Sequence, residues 1–271
     1  MATRKPPVKE EPKKAAGTDM AVWKERLREQ AKKSMAVEAN AGAGSQFIKM
    51  KGGQITLGDT VAKDNKLACV VLDHVIEHAM YAGDYDSDSP QSPICFAFGL
   101  DDQEMVPHDM SREKQHDNCR ECPQNKFGSA ERGAGKACKN IRRLMLIQET
   151  DLDDMENAKP IFLKVPVTSA KNWTTYVRKL GSALELPPLA VVTEITTKPH
   201  AKHQFEVMFS LAEQIEDGDL IEGIFKLKDA SAQELIAPYT STGDAEQEEK
   251  AAPSRRGTKL AGKKTPPARG R

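Results

Sequence analysis

The residues in this chain whose type and spacing point most directly to chemistry are its cysteines. Cys119 and Cys122 form a Cys-x-x-Cys pair, and Cys138 follows after fifteen intervening residues. A Cys-x-x-Cys turn aims two thiolates at one tetrahedral ion, and a distant ligand or pair closes the site. The stretch between them is polar and carries Pro123, Gly128, Gly133 and Gly135, which mark a loop. Such a loop has too little apolar surface for a core of its own, and a structural zinc is the expected means of holding it.

Three cysteines are one ligand short of a closed site, and Cys95, His108 and His116 are the candidates for the fourth. Cys95 lies in the apolar run SPICFAFG, which reads as a strand, so a ligand there clips the loop to a sheet. His116 forms His-x-x-Cys-x-x-Cys with the pair but sits among Gln115, Asp117 and Asn118, a solvated turn. His108 follows Pro107. Cys95 is preferred, because a fourth thiolate ties a rigid element to the loop. Read without a metal, Cys95 is a small buried hydrophobe, as free cysteines often are. Cys69, in LACVVLD, is assigned to the core.

The elements that must position these residues follow from pattern. Residues 1–17 are rich in Lys, Pro, Ala and Glu and are expected to be disordered. Asp19 to about Ala39 reads as a charged helix with Met20, Trp23, Leu27 and Ala31 on one face, and 41–45 as a linker. A domain over 46–212 opens with a hairpin turning at Gly52-Gly53. Leu67–Met80 reads as a long strand, and Ile94–Gly99, Ile141–Gln148 and Pro160–Val167 as further strands. Thr168 or Ser169 is expected to cap a helix from Ala170 to about Leu184. Leu189–Thr197 and Gln204–Leu211 form a closing hairpin, residues 213–237 carry a C-terminal helix, and 238–271 a disordered tail. The fold class is mostly β with flanking helices. Strands and helices do not alternate as βαβ units, so a twisted, partly open small barrel is expected, OB-like (the five-stranded oligonucleotide-binding type) and carrying a zinc loop over 95–143.

Charge is uneven. The 271 residues carry 40 basic and 40 acidic side chains, a formal net charge of zero. From Arg112 to Arg143, nine Lys or Arg face four Asp or Glu. Lys126, Lys136, Lys139, Arg142 and Arg143 crowd the cysteine loop, and clusters of this kind bind phosphate backbones through counterion release. On charge alone a solvated loop surface accounts for them equally well. Phe127, inside the polar loop, is a candidate platform for base stacking, as are Tyr81, Tyr85, Trp173 and Tyr176. Trp173 and Tyr176, three apart on the expected helix with Val177 and Leu180, fit core packing better. Arg142 and Arg143 are neighbours on a strand and point to opposite faces, so only one should meet DNA.

The segments CPQNKFGS, GAGKACKNIRRLMLI, PIFLKVPVTSAKNWTTYVRKL and LAVVTEITT together resemble the zinc-containing, helix-destabilising single-stranded DNA-binding replication proteins of tailed bacteriophages. The resemblance spans about residues 46–212, and its specific part is the cysteine loop. It implies an oligonucleotide-binding barrel, a zinc on Cys95, Cys119, Cys122 and Cys138, a groove for single strands, replication proteins as partners, and the cytoplasm of a bacterial host. One departure concerns the end of the chain. An acidic run (Asp244, Glu246, Glu248, Glu249) is followed by a basic end instead of an acidic one.

Other classes fit less well. No apolar run approaches the ~20 residues of a membrane-spanning helix, and no apolar segment follows the N-terminal charges, so no secretory signal is expected. Five cysteines, three of them in a metal-like loop, suit a reducing compartment. His74 and His78, with Asp73 and Glu77 beside them, would share a face of a helix and suit an enzyme's metal. On the expected strand, a spacing of four sets them too far apart for one ion. The phosphate loop, nucleophile elbow and deaminase signatures are missing, so no enzyme is expected. A zinc loop that docks another protein is the alternative reading.

Overall fold

The computed structural model describes residues 47–83, 92–131 and 133–239, together with positions 23–24, 26–28 and 30–31. The chain divides into two units, Met1–Gly44 and Ser45–Arg271. In the first, the described positions are helical, as expected. The ends of that helix, the arm 1–17, the linker, Tyr85 and the tail from Thr240 onward lie outside the described residues.

The second unit is mostly β, with every paired strand antiparallel. Strands β1 (Ile48–Lys51), β2 (Gln54–Leu57) and β3 (Thr60–Val61) form a small sheet. Its first turn is the expected one, with Gly52 and Gly53 at φ of 60° and 83°, the left-handed region that glycine enters without steric cost. The large sheet holds β4 (Lys66–Met80), β5 (Cys95–Gly99), β6 (Lys139–Gln148), β7 (Ile161–Val165), β8 (Val191–His200) and β9 (Gln204–Gln214) in the order β7-β6-β4-β8-β9, with β5 also on β4. Helix α1 (Ala170–Leu184) lies between β7 and β8, and α2 (Gly218–Leu235) follows β9.

β4 organises this sheet. One edge pairs with β6 over Cys69–Ala79. The other pairs first with β8 over Lys66–Val70 and then with β5 over Ile76–Met80. A register shift between Val71 and Asp73 separates the two stretches. The run Leu67–Leu72 is apolar throughout because both faces of the sheet are covered. On one face Cys69, Val71, Leu144, Leu163 and Ile195 pack with Trp173, Tyr176 and Leu180 of α1. On the other, Val70, Leu72, Met145 and Val192 pack with Ile224 and Leu235 of α2. Trp173 and Tyr176 are thus core residues, 1% and 6% exposed.

Three expectations are met in part or corrected. The sheet is open, with β7 and β9 at its ends, and among the described residues its strands do not close into a barrel. β7 has only five residues, and on it Phe47 makes a parallel bridge to Phe162, so β1 lies beside the strand that a closing partner would need. Ser169 precedes α1 but does not cap it with its hydroxyl, which accepts instead from the Val207 N–H at 2.8 Å. The described residues also continue past 237. Tyr239 is buried and donates its hydroxyl to Glu77 Oε1.

That last contact belongs to a buried ionic network. Arg143 Nε donates to Glu77 Oε2 at 2.7 Å, and Arg143 Nη1 donates to the Ala237 carbonyl at 3.0 Å. The guanidinium carbon sits 4.3 Å from the Phe98 ring centre, and Lys164 Nζ 4.3 Å from that of Tyr239. Burial alone would raise the Glu77 carboxyl, but Arg143 and Lys164 outweigh it and hold the carboxyl below its ordinary value. A buried pair of this kind adds little relative to an apolar replacement, yet losing one partner strands the other's charge. Among the described residues, no helix is long and apolar enough to cross a membrane.

Arg143→Ala is therefore expected to cost about 3–5 kcal/mol in urea denaturation. Because the folded carboxyl is depressed, its contribution is complete above the unfolded value of about 4.3 and disappears as pH falls through the lower folded value. The wild type should lose stability over that acid range, and Glu77→Gln should flatten that part of the pH profile.

Candidate metal centre and loop surface

Cys95 opens β5 and pairs with Met80, the last residue of β4. From β5 the chain crosses back along the sheet edge: His108 N–H donates to the Phe96 carbonyl and Glu113 N–H to that of Ile94. It then reaches the cysteine turn. Cys119 N–H donates to the Met105 carbonyl at 2.9 Å, and Cys119 packs with Ala97, Met105 and Ile76 in a small apolar cluster. Cys122 leads into a single tight turn, Pro123–Asn125. Cys138 N–H donates to the Gln124 carbonyl at 2.9 Å, and β6 begins at the next residue.

These placements put Cys95, Cys119, Cys122 and Cys138 around one cavity of about 20 Å³, with His78, Pro107, His116 and Asn125 among the other residues of its wall. Cys95, Cys119 and Cys122 are buried and Cys138 half-buried. Burial, then the neighbouring Cys95 and Cys122 thiols, push Cys119 up to about 12. Burial and the other three thiols do the same to Cys138. Raised in this way, the Cys119 and Cys138 thiols stay protonated unless a cation compensates their charge. The donor set fits zinc: four soft sulfurs from a turn, a strand start and a strand lead-in. The fit needs tightening. The sulfurs do not form a group lying within 4.8 Å of one another, whereas a zinc–thiolate tetrahedron with bonds of ~2.3 Å has edges of about 3.8 Å.

Of the two histidines weighed against Cys95, His116 lines the cavity and His108 does not. His108 stacks on Phe96 and accepts from the Met110 N–H through Nδ1. His116 Nδ1 is engaged by the backbone N–H of Asn118. Cys69 is fully buried in the core of β4, where burial pushes its thiol well up. His74 and His78 part company. His74 makes an edge contact with Trp173, while His78 lies at the cavity. His78 Nε2 is 2.7 Å from Asp102 Oδ1, close enough for an ion pair, but the two are not aligned as a hydrogen bond. Burial lowers the His78 pKa against the pull of Asp102, which favours a neutral ring.

The loop satisfies its own polar groups. Buried Asn125 donates to the Cys119 carbonyl at 2.8 Å and accepts from Lys136 Nζ at 3.0 Å. The Ser129 hydroxyl donates to the Gln124 carbonyl and accepts from the Ala137 N–H. Gly128, at φ 87°, donates to the Gly135 carbonyl. This framework leaves Phe127 82% exposed with Lys136 Nζ 5.2 Å from its ring centre. Lys126, next to it in sequence, and Lys139 are exposed, and Arg142 is half-buried, its pKa lowered by burial against the pull of Asp102. Arg143 is placed elsewhere: 3% exposed and paired with Glu77, it has no route to a phosphate, because its side of β6 is the face covered by α2.

Sequence reasoning missed Asn125, Met105 and Asp102, whose roles depend on the loop's path. It also missed His200, His203 and Glu206 at the β8–β9 turn, although the spacing His-x-x-His-x-x-Glu was there to be read. Comparison with protein-family models, with curated proteins and with solved structures finds no match to this chain.

Asn125→Ala removes the donor to the Cys119 carbonyl and leaves that buried group unpaired. The expected loss is about 1–3 kcal/mol, with faster amide exchange over 119–138 in hydrogen-exchange mass spectrometry.

Proposed function

We propose that this chain binds single-stranded DNA with little sequence preference, in phage-type DNA replication or recombination, and that Cys95, Cys119, Cys122 and Cys138 hold a structural zinc. The observation that carries the reading is Phe127: an aromatic side chain exposed on a hydrogen-bonded loop, with Lys136 against its ring, Lys126 next to it in sequence and exposed Lys139 where the loop enters β6. An exposed ring offers a π-face to any base, and lysines beside it meet the flanking phosphates, which gives affinity without base readout. Zinc, when bound, would neutralise the thiolates and fix the loop that presents this surface.

The chain order supports the reading. β4, β6 and β7, then α1, then β8 and β9, with β4 beside both β6 and β8, is the order expected of an oligonucleotide-binding barrel left open between its third and fifth strands. In that fold, ligands meet the second and third strands and the loops joining strands one to two and four to five. Here the first of those loops is the cysteine segment and the second is the β8–β9 turn. The host cytoplasm and contacts with replication proteins belong to the same proposal.

A specific feature favours a second reading. Leu100, Val106 and Met110, on the segment between β5 and the cysteines, are also exposed, as a surface for another protein would require.

Anisotropy on an oligo-dT strand separates the two readings. Binding that weakens with salt is expected, with Lys126, Lys136 and Lys139 substitutions each lowering the log–log slope by about 0.7. Phe127→Ala should cost about 1–3 kcal/mol of binding. Elemental analysis should show one zinc fewer per chain, with unfolding of the loop, when Cys119 and Cys122 are replaced by serine. Absence of binding at low salt would leave the protein-docking reading in front.

A further inference from the structure

We propose that the β8–β9 turn carries a second metal site, distinct in chemistry from the cysteines, formed by His200, His203 and Glu206 and suited to a borderline divalent ion such as Zn²⁺, Co²⁺ or Ni²⁺. Among the described residues, this is the group whose potential ligand atoms all lie within 4.8 Å of one another. It stands apart from the cysteine cavity and does not rest on the reading of the loop as a DNA surface.

The local backbone builds the group. β8 ends at His200 and β9 begins at Gln204, and these two residues face each other across the hairpin. Gln204 takes a positive φ of 66°, uncommon for a residue with a side chain, and the Phe205 N–H donates to the His203 carbonyl at 2.7 Å. This tight return folds His203 back over the strand end. Its ring stacks on that of His200 with centroids 3.7 Å apart and planes within 5°. Glu206, one turn of the ladder further in, reaches both rings: its Oε1 lies 3.4 Å from His203 Nε2 and 3.8 Å from His200 Nε2.

Those separations are close to what a metal requires. With bonds of ~2.0–2.2 Å to imidazole nitrogen and carboxylate oxygen, a tetrahedral zinc has ligand–ligand edges of about 3.4 Å. Two changes complete the site. The parallel rings must swing so that both Nε2 lone pairs meet at one point. His200 must also carry its proton on Nδ1, which now accepts from the Lys202 N–H at 3.2 Å. Both histidines and Glu206 are partly exposed, so the rings are free to turn and water can take over the Lys202 N–H. Two imidazoles and one carboxylate favour zinc, cobalt, nickel or copper over magnesium or calcium. Three protein ligands leave coordination positions open, as in sites that bind an exchangeable ligand.

The test uses the full-length, untagged chain with its cysteines intact, titrated with Zn²⁺ and followed through the ring nitrogens of its six histidines by long-range ¹H–¹⁵N correlation. The nitrogens of His200 and His203 should shift together and saturate with one equivalent, while those of His74 and His108 stay in place. His203→Ala should abolish that equivalent, and Glu206→Gln should weaken it at least tenfold, both measured by calorimetry against the wild type with the same cysteines. Any zinc held by the cysteines is common to all three proteins, so failure here is distinguishable from failure of the cysteine site. Unmoved His200 and His203 resonances, or equal stoichiometry and affinity in all three proteins, would overturn the proposal.

Discussion

One strand edge has two partners, and the rest of the second unit is arranged by that fact. β4 is 15 residues long, and no single neighbour covers its second edge. β8 takes the first part and β5 the last, with the register shift at Val71–Asp73 between them. A backbone edge inside a sheet must find hydrogen-bond partners, because an unpaired buried amide costs as much as a lost bond. β5 meets that need over Ile76–Met80, and in doing so it brings Cys95 to the end of the strand. Burial on both faces then holds β4 still, so the cysteine that arrives with β5 is a fixed point against which the loop can close.

The loop solves a different problem. Met105 and Cys119 pack with Ala97 of β5 in a small buried apolar cluster, and the loop holds its shape through Asn125, Ser129 and the Gly128–Gly135 contact. A framework built from polar side chains aimed inward frees the remaining ones to point out. Phe127, Lys126 and Lys139 are exposed for that reason, and the chemistry of the surface follows from how the loop satisfies its own backbone.

Arg142 and Arg143 show how far a strand can separate two identical residues. They are adjacent, so the pleat sends them to opposite faces. Arg142 stays half-buried near Asp102, and Arg143 is enclosed with Glu77, Tyr239 and Phe98. The enclosed guanidinium also binds the Leu235 and Ala237 carbonyls, so the end of α2 is tied to the sheet by charge-assisted bonds as well as by apolar packing. Tyr239, in a stretch whose composition reads as tail, is buried on the same network.

Local pattern by itself determined a good deal of this protein. Apolar runs bounded by turn residues placed β1, β2 and β4–β9 to within a few residues. Glycine at both centres of the first turn marked its hairpin. The spacing of Cys119, Cys122 and Cys138 marked three residues that line one cavity, and Cys95, placed on a strand by its apolar run, lines it too. These features are legible because they depend on periodicity, backbone freedom or short-range spacing. Only the tertiary structure decided whether the sheet closes, since that depends on which strand lies beside a five-residue edge. It also decided which of two neighbouring arginines is buried, where the Ser169 hydroxyl turns, and that two histidines and a glutamate meet at a hairpin tip. Each of those outcomes is set by groups distant in sequence, or by a single left-handed residue, and neither composition nor periodicity records them.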